Sequence, residues 1–196
     1  MIILLSPEQP VADESAVVQA LFERGLPLFH IRKYRLTDRE MDAYVNGIDP
    51  AYRKQLVLHS HFHLAGDLGI ERLHVREADR QQGNVQREAE TGHFRLSTSV
   101  HSIAAFNSLE DRWDYAFLSP VFPSISKVGY GRDQTVLKEL ARRRESAVRL
   151  VGLGGIDETN FKQVWAAGAD GIALLGAIWN RPQPIAVWDS IYKNDF

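Results

Sequence analysis

Eight short runs of strand-forming residues recur along the whole chain, at residues 2–6, 27–32, 55–60, 72–76, 94–100, 114–119, 149–154 and 171–176. Between them lie stretches such as "ESAVVQALFERG" and "TNFKQVWAAG", in which apolar residues stand three and four apart, the spacing of a one-sided helix. Several of these stretches open with Asp, Ser or Thr and close on Gly, as helix ends require. Repeated strand–helix alternation demands a parallel sheet covered by helices. Eight units point to a (β/α)8 TIM barrel, with residues 1–196 as a single domain, although the length is at the short end for that fold. An open doubly wound sheet is the structural alternative. The third helix is cramped between its strands.

Composition narrows the function. The 196 residues, 44% of them hydrophobic, are ample for one closed core. A net charge of −2 gives no basic surface for nucleic acid or an anionic membrane. With no cysteine, disulfides, thiolate metal sites and a Cys nucleophile are excluded. The opening "MIILLSPEQP" is too short an apolar run for a signal segment or a membrane span, so it reads as the first strand of a soluble, cytoplasmic protein.

A barrel does its chemistry where strands end, so the residues just past each strand are the candidates. Strand seven runs into "GLGGID" and strand eight into "LLGAIWN", the pair of loops with which barrels commonly bind phosphate. Gly154, Gly155 and Gly176 would let the backbone approach an anion. After strand six, "LSPVFPSISKVGYG" crowds Ser124, Ser126 and Lys127 into one loop, two hydroxyls and a mobile cation suited to phosphate. Arg32 ends strand two, where an inward guanidinium is costly unless paired. His59, His61 and His63 alternate, and could offer three imidazoles to zinc or iron or simply line the barrel mouth. His74, inside strand four, reads equally as a satisfied barrel histidine or a functional group. His101 is expected to pin its loop, and Trp165, Trp179 and Trp188 to pack.

Together, "STSVHS", "DYAFLSPVFPSISK", and "VGLGGI" followed by "AGADGIALLGAI" resemble the thiamine phosphate synthase family, whose relatives include thiazole tautomerases. The similarity runs over essentially the whole chain. It implies an enzyme that joins hydroxymethylpyrimidine pyrophosphate to thiazole phosphate and releases pyrophosphate. The implied mechanism breaks the C–O bond first, and the thiazole nitrogen captures the resulting carbocation. On this resemblance Arg32 and Lys127 are catalytic, acting on the pyrophosphate. Ser99 binds substrate, Ser124 and Ser126 contact the thiazole, and Gly155 and Gly176 belong to the loops that hold its phosphate. Asp79 matches one of two aspartates that bind Mg2+. The implied partners are the two phosphorylated substrates, with no nucleic acid or membrane; the oligomeric state is left open.

Two motifs depart from the family. Where its members usually carry Asn-Asp after strand three, this chain has His59 and Ser60, so one magnesium carboxylate is missing. Where they usually carry Gln-x-Arg-Glu-Lys, it has "HIRKY": His30 stands for the Gln and Tyr34 for the second cation. His30 and His59 therefore inherit substrate-facing positions, while alternation turns Lys33 to the opposite face. Tautomerases use a histidine just after strand six, where this chain has Pro120. A tautomerase and a noncatalytic binder of a phosphorylated thiamine precursor remain the alternatives to a synthase.

Overall fold

The computed structural model of the chain describes residues 1–83, 93–123 and 135–193. Eight parallel strands form one closed barrel in chain order: β1 Ile2–Leu5, β2 Leu28–Ile31, β3 Leu56–Leu58, β4 Arg72–Val75, β5 Arg95–Val100, β6 Trp113–Leu118, β7 Arg149–Leu153 and β8 Gly171–Leu174. Closure is made by β1 on β8, with Ile3 opposite Ala173, which excludes the open doubly wound sheet. Every strand expected from the sequence is present.

Strand alternation divides the apolar residues into two layers. Ile3, Leu5, Leu28, Val57, Tyr115, Phe117, Val151 and Ala173 fill the barrel interior. Their neighbours of opposite parity, such as Leu4, Phe29 and Ile31, face outward against the helices. Helix α1 (Glu14–Glu23) buries Val18, Leu21 and Phe22, the three-and-four spacing that marked it. Helix α2 (Asp38–Asn46) starts in a capping box, Thr37 accepting from the Glu40 N–H while the Glu40 carboxylate accepts from the Thr37 N–H. Among the described residues five further helices follow, at Glu77–Gln81 (α3), Ile103–Asn107 (α4), Phe161–Ala166 (α5), Gly176–Trp179 (α6) and Pro184–Tyr192 (α7). Trp188 in α7 is fully buried, and Trp165 packs edge-on against Phe161. Trp179 packs and also donates its indole N–H to the Leu5 carbonyl at 2.6 Å. The cramped third connection holds only one 3-10 turn, Phe62–Leu64. No helix among the described residues is long and apolar enough to cross a membrane.

Candidate active site

The inward parity that buries Leu28 on β2 also turns His30 into the barrel and carries Arg32 to its mouth. Lys33, of opposite parity, points out and pairs with Glu14 of α1 at 2.8 Å, both side chains buried. It is absent from the mouth, as alternation requires. Arg32 is anchored through its backbone, its N–H donating to Ser6 Oγ at 2.8 Å. Among the described residues its side chain has a loose ion pair, 3.7 Å from Glu8, and its buried Nε has no hydrogen-bond partner. A buried N–H of this kind is costly to leave unpaired, so Arg32 is prepared to accept an anion.

Below Arg32, β2, β3 and β4 bring three imidazoles together. His30, His59 and His74 are buried, and one ring nitrogen from each lies within 4.8 Å of the others. His30 Nδ1 is 2.8 Å from His59 Nε2, and His59 stacks on His74 with centroids 4.2 Å apart. The outer nitrogens are held by hydroxyls: His30 Nε2 by Tyr115 at 2.7 Å and His59 Nδ1 by Tyr34 at 3.2 Å. His74 bonds Ser97 at 2.9 Å and Ser99 at 2.8 Å. Burial pushes all three imidazoles down, His74 to about 3 and His30 and His59 well below their ordinary value. They are therefore neutral, each with one N–H, and the chain Tyr115–His30–His59–Tyr34 can run its hydrogen bonds in either of two concerted directions.

Such a cluster could coordinate a metal ion, with the hydroxyls orienting the rings from behind. Neutral imidazoles suit zinc, copper, iron or nickel; magnesium prefers oxygen. The grouping of His59 with His61 and His63, which alternation offered as one reading, is not what forms. His61 adopts a left-handed backbone, φ 57°, which breaks the alternation. Its Nε2 turns to the Leu36 carbonyl at 2.7 Å, and the exposed His63 pairs with Asp38 at 3.0 Å. His59 joins His30 and His74 instead.

Above the imidazoles is a cavity of about 110 Å³ lined by Tyr34, His59, Ser60, Phe62, Val75, Arg76 and Asp79. Arg76, the first residue after β4, grips Asp79 with both arms, Nε to Oδ2 at 2.6 Å and an Nη to Oδ1 at 2.9 Å. Its guanidinium also lies over the Tyr34 ring, 5.3 Å from the centroid. Sequence reasoning singled out His59 and Asp79, which line this cavity, and did not single out Arg76. It also missed Tyr115 and Ser97, whose parity with Phe117 and Ser99 was the available signal.

His30 is fully enclosed, with both nitrogens bonded, so it sits behind His59. Ser99 is likewise bonded to His74. Gly155 has φ 65°, and a Cβ there would strike the Pro123 carbonyl and come within 2.7 Å of Phe122 Cβ, so its first service is to seat the loop after β6. Gly176 is buried at the start of α6. His101 accepts the pinning role: its Nδ1 lies 3.0 Å from the Ser119 carbonyl. Ser124, Ser126 and Lys127 lie outside the described residues.

The chain is similar to known proteins over most of its length. Residues 2–178 match the family model described as thiamine monophosphate synthase. A thiamine-phosphate synthase of Listeria welshimeri is 31% identical over 144 residues, 71% of this chain and 68% of the relative. One from Geobacillus kaustophilus is 29% identical over 188 residues, 91% of this chain and 82% of the relative. Among solved structures, a thiamine phosphate pyrophosphorylase from Pyrococcus furiosus superposes with a TM-score of 0.76 at 18% identity, covering 98% of this chain and 93% of that one. A 3-hexulose-6-phosphate synthase from Salmonella typhimurium reaches 0.70 at 13% identity, covering 98% and 96%, so the fold alone does not select the chemistry. The match of the family model over nearly all of the chain does: this chain belongs to the thiamine monophosphate synthase family.

Proposed function

We propose that this chain is a thiamine phosphate synthase, a transferase that joins hydroxymethylpyrimidine pyrophosphate to thiazole phosphate. The observation that carries the proposal is Arg32, a guanidinium at the barrel mouth with a buried donor unspent, in a chain of this family. The C–O bond to pyrophosphate breaks, its electron pair leaves with the pyrophosphate, and the thiazole nitrogen forms the new C–N bond to the carbocation. Negative charge grows on the leaving group, so Arg32 and Lys127 bind it more tightly in the transition state than in the ground state. Ser99, Ser124 and Ser126 position the substrates, and the Gly155 and Gly176 loops take the thiazole phosphate. His59 faces the substrate, and His30 acts through it as a positioning residue.

Magnesium is the cofactor that the resemblance implies, and its donor set does not fit here. Both Asp79 oxygens are engaged by Arg76, and the facing positions are His59 and Ser60 rather than a carboxylate.

The test is purified protein with both phosphorylated precursors, with and without magnesium, followed by chromatography. Thiamine phosphate is expected. Tyr34 and Ser60, where charges are missing, favour the binder as second reading. Tight thiazole phosphate binding without product under either condition would establish it in place of the synthase.

A further inference from the structure

The cavity above the imidazoles is lined by a cation of the chain's own, Arg76. Arg76 spends two of its five N–H donors on Asp79, and the bidentate grip fixes the plane of the fork. Tyr34 supports it from below, and Tyr34 is itself tied to His59. The Arg76 side chain is 56% exposed, at a cavity that it lines. Burial dominates the downward push on His59, the neighbouring His74 and His30 add to it, and Arg32 and Arg76 add a smaller part. Charge balance gives the arrangement its meaning. A divalent ion between two carboxylates is locally neutral. One guanidinium on one carboxylate, with Ser60 where the second carboxylate would stand, is locally neutral as well. A planar fork also matches phosphate oxygens bidentately, which suits it to a diphosphate.

We propose that Arg76, clamped by Asp79 and seated on Tyr34, replaces the divalent metal as the fixed cation of the pyrophosphate pocket, so that pyrophosphate binds without magnesium. This rests on the synthase reading for its choice of ligand. Arg32 and Arg76 hold the pyrophosphate from two sides, and Asp79 serves as the anchor of Arg76 rather than as a metal ligand.

Calorimetry with inorganic pyrophosphate, in EDTA and then in excess magnesium, tests this on the wild-type protein. Binding is expected in EDTA, with magnesium strengthening it by no more than about threefold, since a water-rich ion held by a single occupied carboxylate adds little. Arg76→Ala should weaken binding in EDTA by at least about tenfold, the loss of a charge-assisted pair. It should recover part of that loss on adding magnesium, because Asp79 is then free. Wild-type binding that appears only with magnesium, or no binding at all, overturns the proposal, as does an Arg76→Ala protein that binds normally in EDTA. Product assays in the same two buffers separate this from the synthase reading. Product formed only with magnesium overturns the role of Arg76 and leaves the synthase standing. EDTA-resistant binding that Arg76→Ala abolishes, without any product, upholds the cation and removes the synthase.

Discussion

At Gly155 two demands meet on one backbone. Its φ of 65° is a conformation that a side chain disfavours, and the loop after β6 fills the space where a Cβ would go, through Pro123 and Phe122. The glycine was legible from "GGI" as a point of close approach; that the approach is by a neighbouring loop, before any anion, was not. Gly155→Ala should therefore destabilise the protein by about 3 kcal/mol or more, combining left-handed strain with overpacking. Urea unfolding measures this directly. A variant as stable as wild type would mean that the Phe122–Pro123 segment gives way without cost. Loss of phosphate binding in such a variant would report on the loop as much as on the anion, so Arg32 and Arg76 are the better probes of the site.

Between elements, what alternation determines was readable and what a turn determines was not. Period two sends Arg32 to the mouth and Lys33 to Glu14, and a single strand contains that information. The same rule failed at His59, His61 and His63 because the strand had already ended; the left-handed backbone at His61 separates rings that a strand would have aligned. Arg76 escaped notice because its value depends on Tyr34, which reaches it from the end of β2, as well as on Asp79 three residues along. The Tyr115–His30 bond joins β6 to β2 across the interior, a link between sequence positions that no local pattern reveals. Tyr115→Phe should remove it at nearly constant volume and leave His30 Nε2 unpaired in the core. The expected loss of stability is about 1–3 kcal/mol, the cost of an unsatisfied buried polar group. Equal unfolding midpoints for Tyr115→Phe and wild type would show that another donor reaches His30.

For the whole molecule, the imidazole cluster makes folding depend on pH in a definite direction. His30, His59 and His74 have folded values pushed down by burial, His74 to about 3, while in the unfolded chain each would titrate near the ordinary histidine value of about 6.5. Above that value both states are neutral at these sites and the full stability is present. As pH falls below it, the unfolded chain takes up protons that the barrel interior refuses, so stability is lost progressively toward the folded values. Each imidazole can contribute up to about 1.4 kcal/mol per pH unit within that window. Urea unfolding between about pH 7.5 and 5.5 spans the ordinary histidine value of about 6.5. Wild-type stability should fall steadily over this range, and His74→Gln, with one proton fewer to refuse, should fall less steeply whatever its absolute stability. A flat wild-type profile, or equal slopes in the two proteins, would mean that the interior accepts the charge. The same three rings would then be open to protonation beneath the cavity that Arg76 lines, adding positive charge beside its guanidinium.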